Sequence, residues 1–382
     1  MAVKLLAIGG RLAQRWCMWV YSLDFSRSLS LLFFSQRVML GLFIAAISAA
    51  TSAANAADKA ADKAADIVAE QKTRYVVILV IDGPRWTETW GRPGRDLIPV
   101  RANVLAPQGV WFSDMANDGP TYTNAGHTAL VSGFHQEINN SGLELPRHPT
   151  LSQRLLAAGT KKNQTWIVAS KDKLQILIDS NAPEWKHLYV GASDCGKGGG
   201  GVGAGYRDDL TTMERAKAII TAHRPRFMLI NLKEPDSSGH AKDWNEYLAN
   251  IRVTDAYAGA LWKHLQADPE MRDRTAFFIT NDHGRHLDGH LDGYVSHGDD
   301  CAGCRKIELL AMGPDFRRGA TVDQHRSHID VAVTCAALLG LTIPGSKGQI
   351  MQELFSSPVI PWAAVVPVVS LPSQLALPKD VP

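Results

Sequence analysis

Cysteine is scarce, with five in 382 residues. A count that small and odd excludes a disulfide framework, so the fold has to be held by its hydrophobic core. An excess of charge of one sign is also missing. Lys plus Arg is 40 against 38 for Asp plus Glu, a formal net charge of +2, so no global field attracts a polyanion and nucleic-acid recognition is not expected. The apolar run VMLGLFIAAISAA at 38–50 falls short of the about 20 residues that a membrane span takes. With 45% hydrophobic residues, 32 Gly and 19 Pro, the chain has the composition of a water-soluble globular protein, which excludes a solenoid or a disordered tail protein. Its length predicts one large α/β domain or two modest ones, since single cores stop growing beyond roughly 250–300 residues.

The run at 38–50 follows Arg37 and precedes TSAANAA, the pattern of a secretory signal with small residues at the cleavage site. Residues 1–56 are therefore read as a signal peptide, and residues 1–37 exceed a usual n-region, which points to a true start codon further along. Export to a periplasmic or extracellular space follows, with membrane attachment only if this segment is retained. Residues 57–73 begin with the repeated unit of ADKAADKAADIV and read as a spacer. The main domain is expected over 74–355. Residues 356–382, with six Pro among Val and Leu in the last 25, read as an extended tail.

From residue 74 short β-branched runs alternate with amphipathic stretches, which predicts parallel strands joined by helices. Four runs, RYVVILVIDG (74–83), QTWIVASKD (164–172), RFMLINLKEPD (226–236) and RTAFFITNDHG (274–284), are apolar and end in charged residues. Continuous apolar runs suit strands buried on both faces. Ligands of open α/β sheets collect beyond the carboxyl ends of such strands, so the four polar clusters are expected to converge. Residues 149–159, with a Thr cap and a Gly stop, and 209–223 read as helices. GKGGGGVGAG (196–205) reads as a flexible loop.

The run ends offer metal ligands: Asp82, then Asp236 and His240 in EPDSSGH, then Asp282 and His283 in TNDHG, and His297 in VSHGDD. Carboxylate and neutral imidazole together suit Zn²⁺ best among the common divalent ions. Between the first two clusters lies GPTYTNAGHTALVSG (119–133), whose Thr123 sits in a turn able to present backbone N–H groups to an anion. A threonine hydroxyl is a weak nucleophile unless a base or a metal deprotonates it. Two zinc ions about 3.5–4 Å apart would serve both the attacking and the leaving oxygen of a displacement at phosphorus.

These motifs resemble the alkaline phosphatase superfamily, on its nucleotide pyrophosphatase/phosphodiesterase and phosphonoacetate hydrolase side. The resemblance runs from residue 75 to about 316 and rests on Asp82 in VILVIDG, Thr123 in PTYTNAGH, Asp236 and His240 in EPDSSGH, Asp282 and His283 in TNDHG, and His297-Gly298 followed by MGPDF. It implies an alkaline phosphatase-like fold, a mostly parallel sheet between helices. It also implies a covalent phosphothreonine at Thr123, one zinc held by Asp82, Thr123, Asp282 and His283, and a second by Asp236, His240 and His297. SKDKLQ (170–175) is similar to the family's K-D-K/R segment, so Lys171 and Lys173 are implied contacts to anionic substrate groups, a pair that would favour a dianionic phosphoryl group. The family's phosphoryl-binding Asn has Asn139, Asn140 and Asn124 as candidates. The expected substrate is a small phosphate ester, monoester or diester. A phosphonoacetate-type P–C bond and a non-catalytic zinc-binding domain are the alternatives.

Several features compete with these assignments. Thr121 rivals Thr123, which alone has the four-residue spacing to His127. His286 and His290 rival His297 and read as polar loop residues. Lys171 and Lys173 also fit an ordinary solvated pair. GASDCGKG (191–198) approaches a phosphate-binding loop but lacks the terminal hydroxyl and the following helix. Cys301 and Cys304 in DDCAGC are expected to form a local disulfide rather than a third metal site, with Cys195 and Cys335 free or buried. No segment offers the Cys or Ser before x-P-x-R that a sulfatase requires.

Overall fold

The computed structural model describes residues 71–358. The segment read as a signal peptide, most of the spacer and most of the tail lie outside the described residues. The spacer's last residues are tied to the body: Lys72 and Thr73 donate their amides to the Asp315 carboxylate, each at 2.9 Å, and Gln71 Nε2 donates to the Leu338 carbonyl at 2.7 Å.

The described strands are β1 (Tyr75–Ile81), β2 (Val110–Ala116), β3 (Thr165–Ala169), β4 (Ala192–Cys195), β5 (Phe227–Leu232), β6 (Thr275–Thr280), β7 (Lys306–Met312), β8 (Ala320–Val322) and β9 (Arg326–Ser327). They form one sheet in the order β4-β3-β5-β1-β6-β7-β2-β8, with β9 beside β2. The pairs from β4 through β6 are parallel, and β7 runs antiparallel to both β6 and β2. Two reversals restore direction, so β2 again points its carboxyl end to the same edge as β1, β3, β5 and β6.

All four expected strands are present, each within the run that announced it. Their continuous apolar sequences bury both faces because the side chains alternate. From β1, Val76, Ile78 and Val80 enter one core and Val77, Leu79 and Ile81 the other. The first core is covered by α1 (Thr123–Ser132), α2 (Leu151–Ala157) and α7 (His328–Leu338), the second by α3 (Asp209–His223) and α5 (Trp244–Ala267); short helices α4 (Asp236–His240) and α6 (Ala302–Arg305) sit at strand ends. Each fully buried Val, Leu or Ile contributes about 1.5–3 kcal/mol relative to exposure, so the two cores can carry this fold without disulfides.

Helix α2 starts as expected, with a reciprocal capping box between Thr150 and Gln153, and Gly159 follows its end at φ 88°. Helix α3 spans residues 209–223 as read from sequence, capped by Asp208, whose carboxylate accepts the Thr211 amide at 2.8 Å. The glycine-rich loop is moored rather than free. Asp172 Oδ2 accepts the amides of Gly203 and Gly205 at 3.0 and 2.8 Å. No helix follows its Lys197–Gly199 turn until Asp209, so it does not form a phosphate-binding loop. The expected Cys301–Cys304 disulfide is not formed, and Cys195, Cys301, Cys304 and Cys335 are all free thiols. His286 is a polar loop residue as read, with its side chain buried in the loop.

Candidate active site

A tight turn and a backbone hydrogen bond bring the Asp82 and Asp236 carboxylates together. Gly83, at φ 61°, bends the chain after β1, and a Cβ there would lie 2.9 Å from Asp236 Oδ1. The Asp236 amide donates to the Asp82 carbonyl at 3.2 Å, so the ends of β1 and β5 are stitched through the residues that bear the side chains. Across from them, Thr123 is the first residue of α1, where the helix dipole favours negative charge on its hydroxyl oxygen or on a bound anion. The helix presses directly on the end of β6, since a Cβ on Gly126 would lie 2.4 Å from the Asp282 carbonyl oxygen.

Asp82, Asp282 and His283 each present a ligand atom within 4.8 Å of the others, and so do Asp236, His283 and His297. His283 Nε2 stands 3.5 Å from Asp82 Oδ1 and 3.3 Å from Asp282 Oδ2, while its Nδ1 faces the Gly284 carbonyl at 2.9 Å, which leaves Nε2 as the free lone pair. Asp282 Oδ2 and His283 Nε2 are buried without a hydrogen-bond partner, and Asp82 Oδ1 beside them faces the Lys171 ammonium at 2.9 Å. Buried orphan acceptors are costly, and two that converge beside the Asp82 carboxylate fit a cation. His297 Nε2 and His240 Nε2 lie 3.4 and 3.3 Å from Asp236 Oδ1 and 3.2 Å from each other. His240 is the exposed member, with 48% of its side chain accessible, and so marks the open side.

Lys171 enters this cradle rather than standing at its rim. Its Nζ is 2.7 Å from Asp236 Oδ2, 2.9 Å from Asp82 Oδ1 and 3.1 Å from Thr123 Oγ1, with the side chain 2% exposed. Burial alone would neutralise the ammonium, but Asp236, Asp82 and Asp282 outweigh it and raise its pKa. Asp236 is held well below the usual carboxylate range: burial opposes this, and Lys171 and Arg285 prevail. Asp282 is likewise lowered, against burial, by His283 and His127. His297 is pushed down to about 4, by burial first and then by His283, whose ring stacks on it at 3.6 Å. Its imidazole is therefore neutral, with a lone pair to offer, at ordinary pH.

Around the cradle, Lys173 Nζ donates to Asn140 Oδ1 at 2.9 Å, and Asn140 Oδ1 also accepts the Asn124 amide at 3.1 Å. Asn124 Nδ2 donates to the Asn139 carbonyl at 2.8 Å, and its Oδ1 is buried without a partner. All three Asn candidates thus gather beside the start of α1. Burial and the neighbouring Lys171 push Lys173 down to about 8. Tyr206, on the moored loop, lies with its ring 5.9 Å from Lys171 Nζ and is partly exposed.

The rivals separate. Thr121 donates its hydroxyl to the Asp299 carbonyl at 2.7 Å and has no contact with the carboxylates. His290 pairs with Asp299 at 2.8 Å, on a different cluster. His127 Nδ1 donates to the Thr123 carbonyl at 2.8 Å, and its Nε2 receives Asn231 Nδ2 at 3.1 Å, so it braces α1 against the sheet.

Two residues escaped sequence reasoning. Asn231 Nδ2 also donates to Asp82 Oδ2 at 3.0 Å, and its only signal was an amide inside the apolar run of β5. Arg285, fully buried, donates to Asp236 and to the Tyr294 and Val295 carbonyls; it directly follows TNDHG but was not singled out.

Residues 147–318 match the family described as Type I phosphodiesterase / nucleotide pyrophosphatase. Murine ectonucleotide pyrophosphatase / phosphodiesterase 5 superposes over 74% of this chain and 100% of its own, at TM-score 0.54 and 16% identity. A protein in the alkaline phosphatase superfamily from Vibrio parahaemolyticus covers 71% of this chain and 67% of its own, at TM-score 0.53 and 16% identity. The fold is that of the alkaline phosphatase superfamily. Phosphonate monoester hydrolase from Silicibacter pomeroyi, at TM-score 0.55 and 13% identity, shares it over 75% of this chain and 78% of its own. In sequence, GPI ethanolamine phosphate transferase 1 of Mus musculus is 23% identical over 301 residues, 70% of this chain and 31% of that protein. The Neurospora crassa protein of the same name is 25% identical over 66% of this chain and 28% of its own length. The chain therefore spans about a third of the curated relatives it matches.

Proposed function

We propose that this chain is a two-zinc hydrolase of small phosphate esters that works through a covalent phosphothreonine on Thr123. The observation that carries the reading is the position of Thr123 Oγ1 at the head of α1, 3.1 Å from Lys171 Nζ, beside the converging ligand atoms of Asp82, Asp282 and His283. In this reading Asp82, Thr123, Asp282 and His283 hold one ion and Asp236, His240 and His297 the other. When bound, the ions supply Lewis acidity at the attacking and leaving oxygens and lower the pKa of bound water. Export belongs to the same proposal and rests on the run at 38–50 alone.

The chain's own groups do the rest. Lys171 donates to Thr123 Oγ1 and so favours its alkoxide, whose proton passes to solvent; the alkoxide attacks phosphorus while the ester oxygen leaves with the bonding pair and is protonated from water. The dipole of α1 and the Asn124, Asn140 and Lys173 group face the charge that builds on the equatorial oxygens. Water then attacks the phosphothreonine and restores the hydroxyl. A similar murine structure pairs AMP with an inactive threonine-to-alanine variant, which agrees with a threonine in this role and a small phosphate ester as ligand.

A second reading, transfer of the phosphoryl group to an alcohol, is favoured by the ethanolamine phosphate transferases among the relatives. The two differ only in what resolves the phosphothreonine. The test uses zinc-loaded protein with an aryl phosphate, a bis-aryl phosphate diester and phosphonoacetate, each with and without an added amino alcohol. Hydrolysis that vanishes in Thr123→Ala, with zinc content retained and phosphate found on Thr123 of quenched wild type, supports the proposal. Phosphorylated alcohol as the main product turns the assignment to transferase. No turnover of any ester at full zinc occupancy leaves a zinc-binding domain.

A further inference from the structure

The long connection from β6 to β7 gathers a second set of ligands, separate from the cradle. A nitrogen of His286, a carboxylate oxygen of Asp299 and the sulfurs of Cys301 and Cys304 all lie within 4.8 Å of one another. We propose that these four residues hold a structural zinc ion that fixes the loop carrying His297. Two sulfurs, one imidazole and one carboxylate make a closed four-ligand set of the kind zinc takes, and thiolates discriminate against Mg²⁺ and Ca²⁺.

The orientation of His286 points to a ligand independently of that composition. Its residue is 2% exposed, and its Nε2 is buried with no hydrogen-bond partner. Nδ1 faces Asp292 Oδ1 at 3.1 Å and Ser296 Oγ at 3.2 Å, so the ring proton belongs on Nδ1 and the Nε2 lone pair is left free. That lone pair looks at Asp299 Oδ1 across 3.3 Å. Two acceptors facing each other repel, yet about 3.3 Å is the separation of two ligands each 2.0–2.1 Å from one tetrahedral ion. The Asp292–His286 pair has the form of the carboxylate–histidine–metal relay that orients metal-bound imidazoles.

The cysteines fit the same role. They are unbridged, and the Cys304 amide donates to Cys301 Sγ at 3.3 Å. Between them Gly303 packs against the chain beside His286, where a Cβ would come within 2.4 Å of the Arg285 carbonyl oxygen. The loop so pinned holds Thr121, two residues before Thr123, at two points. His297 Nδ1 donates to the Thr121 carbonyl at 2.8 Å, and the Asp299 carbonyl accepts the Thr121 hydroxyl at 2.7 Å.

Cobalt distinguishes this site from the cradle, because the cradle has no sulfur. Full-length protein stripped of metal and reloaded with Co²⁺ is expected to show thiolate-to-cobalt charge-transfer absorption in the near ultraviolet. The band should persist in Asp82→Asn and vanish in the Cys301→Ser/Cys304→Ser double variant, whose zinc content falls by one equivalent. A wild-type spectrum without the band, a band that survives the double variant, or a disulfide-linked 301–304 peptide in unreduced, freshly purified protein overturns the proposal. If the double variant does not fold, the wild-type spectrum and peptide map decide alone. Loss of turnover in Thr123→Ala leaves the band untouched, so the two readings fail separately.

Discussion

The Lys171 ammonium is within 3.1 Å of the Thr123 hydroxyl while it pairs with Asp82 at 2.9 Å and with Asp236 at 2.7 Å. One buried cation thus bridges the carboxylates that the proposed mechanism divides between two ions, and touches the nucleophile as well. Its long aliphatic stem lets it reach this depth from the end of β3. Three carboxylates, Asp82, Asp236 and Asp282, share its charge.

Lys171→Met removes that charge and leaves the carboxylates to repel one another in a buried site. Breaking a buried pair by deleting one partner costs about 3–5 kcal/mol. Chelator-treated Lys171→Met is therefore expected to unfold at lower denaturant than chelator-treated wild type by about that amount, with zinc narrowing the gap. With zinc present, kcat/KM on an aryl phosphate should still fall by about 10²–10³-fold, the usual effect of losing one aligned donor. Equal stability of the stripped proteins would show that the cradle is not neutralised by this lysine.

Gly126→Ala tests the coupling between the nucleophile's helix and the metal-facing strand. In an ordinary exposed helix the change would stabilise by up to about 1 kcal/mol. Here the new Cβ would sit 2.4 Å from the Asp282 carbonyl oxygen and 2.9 Å from its Cβ, so α1 must retreat and take Thr123 with it. A displacement near 1 Å costs about 10²-fold in rate, and the loss should fall on kcat. A variant with wild-type kcat would show that Thr123 tolerates the shift.

Lys173 carries a pH dependence of its own. Burial and Lys171 lower its pKa to about 8, so the cation is present at neutral pH and lost as pH rises through that value. KM for a dianionic aryl phosphate is expected to rise between pH 7 and 9 in wild type. Lys173→Arg keeps its charge over that range and should flatten the rise. The same slope in both proteins would assign the titration elsewhere.

The strands and the converging clusters were legible because the rule behind them is local: an apolar run buried on both faces must stop where charge begins, and parallel strands stop at one edge. Asp82, Asp236, Asp282 and His283 could be placed there by type. Depth was not legible. Nothing in SKDKLQ says that Lys171 turns into the cradle while Asp172 turns out to moor Gly203 and Gly205. Asn231 was hidden by its apolar neighbours. The burial of His286 and the absence of a Cys301–Cys304 bridge were not legible either, because their neighbours Asp292 and Asp299 are brought in by loop geometry that no periodicity encodes.

Asp209 links the site to stability through pH. From the first turn of α3 its Oδ1 accepts the Ser170 hydroxyl at 2.5 Å and the Lys233 amide at 2.8 Å, and its Oδ2 accepts the Glu234 amide at 3.1 Å. It thereby joins the residue before Lys171 to the segment before Asp236. Burial raises its pKa to about 6 despite those hydrogen bonds. For an acid raised in the folded state, the protonated form is the favoured one, so stability is greatest below the unfolded value of 3.8 and is lost as pH climbs towards 6. Between pH 5 and pH 7.5 the loss amounts to about 1–1.5 kcal/mol by linkage. Asp209→Asn cannot titrate, so the stability difference between wild type and variant, from denaturant midpoints at the two pH values, should shift by that amount in favour of wild type at pH 5. A difference that does not change with pH would mean that Asp209 ionises in the folded protein as it does in the unfolded chain, and that its hydrogen bonds fully offset its burial.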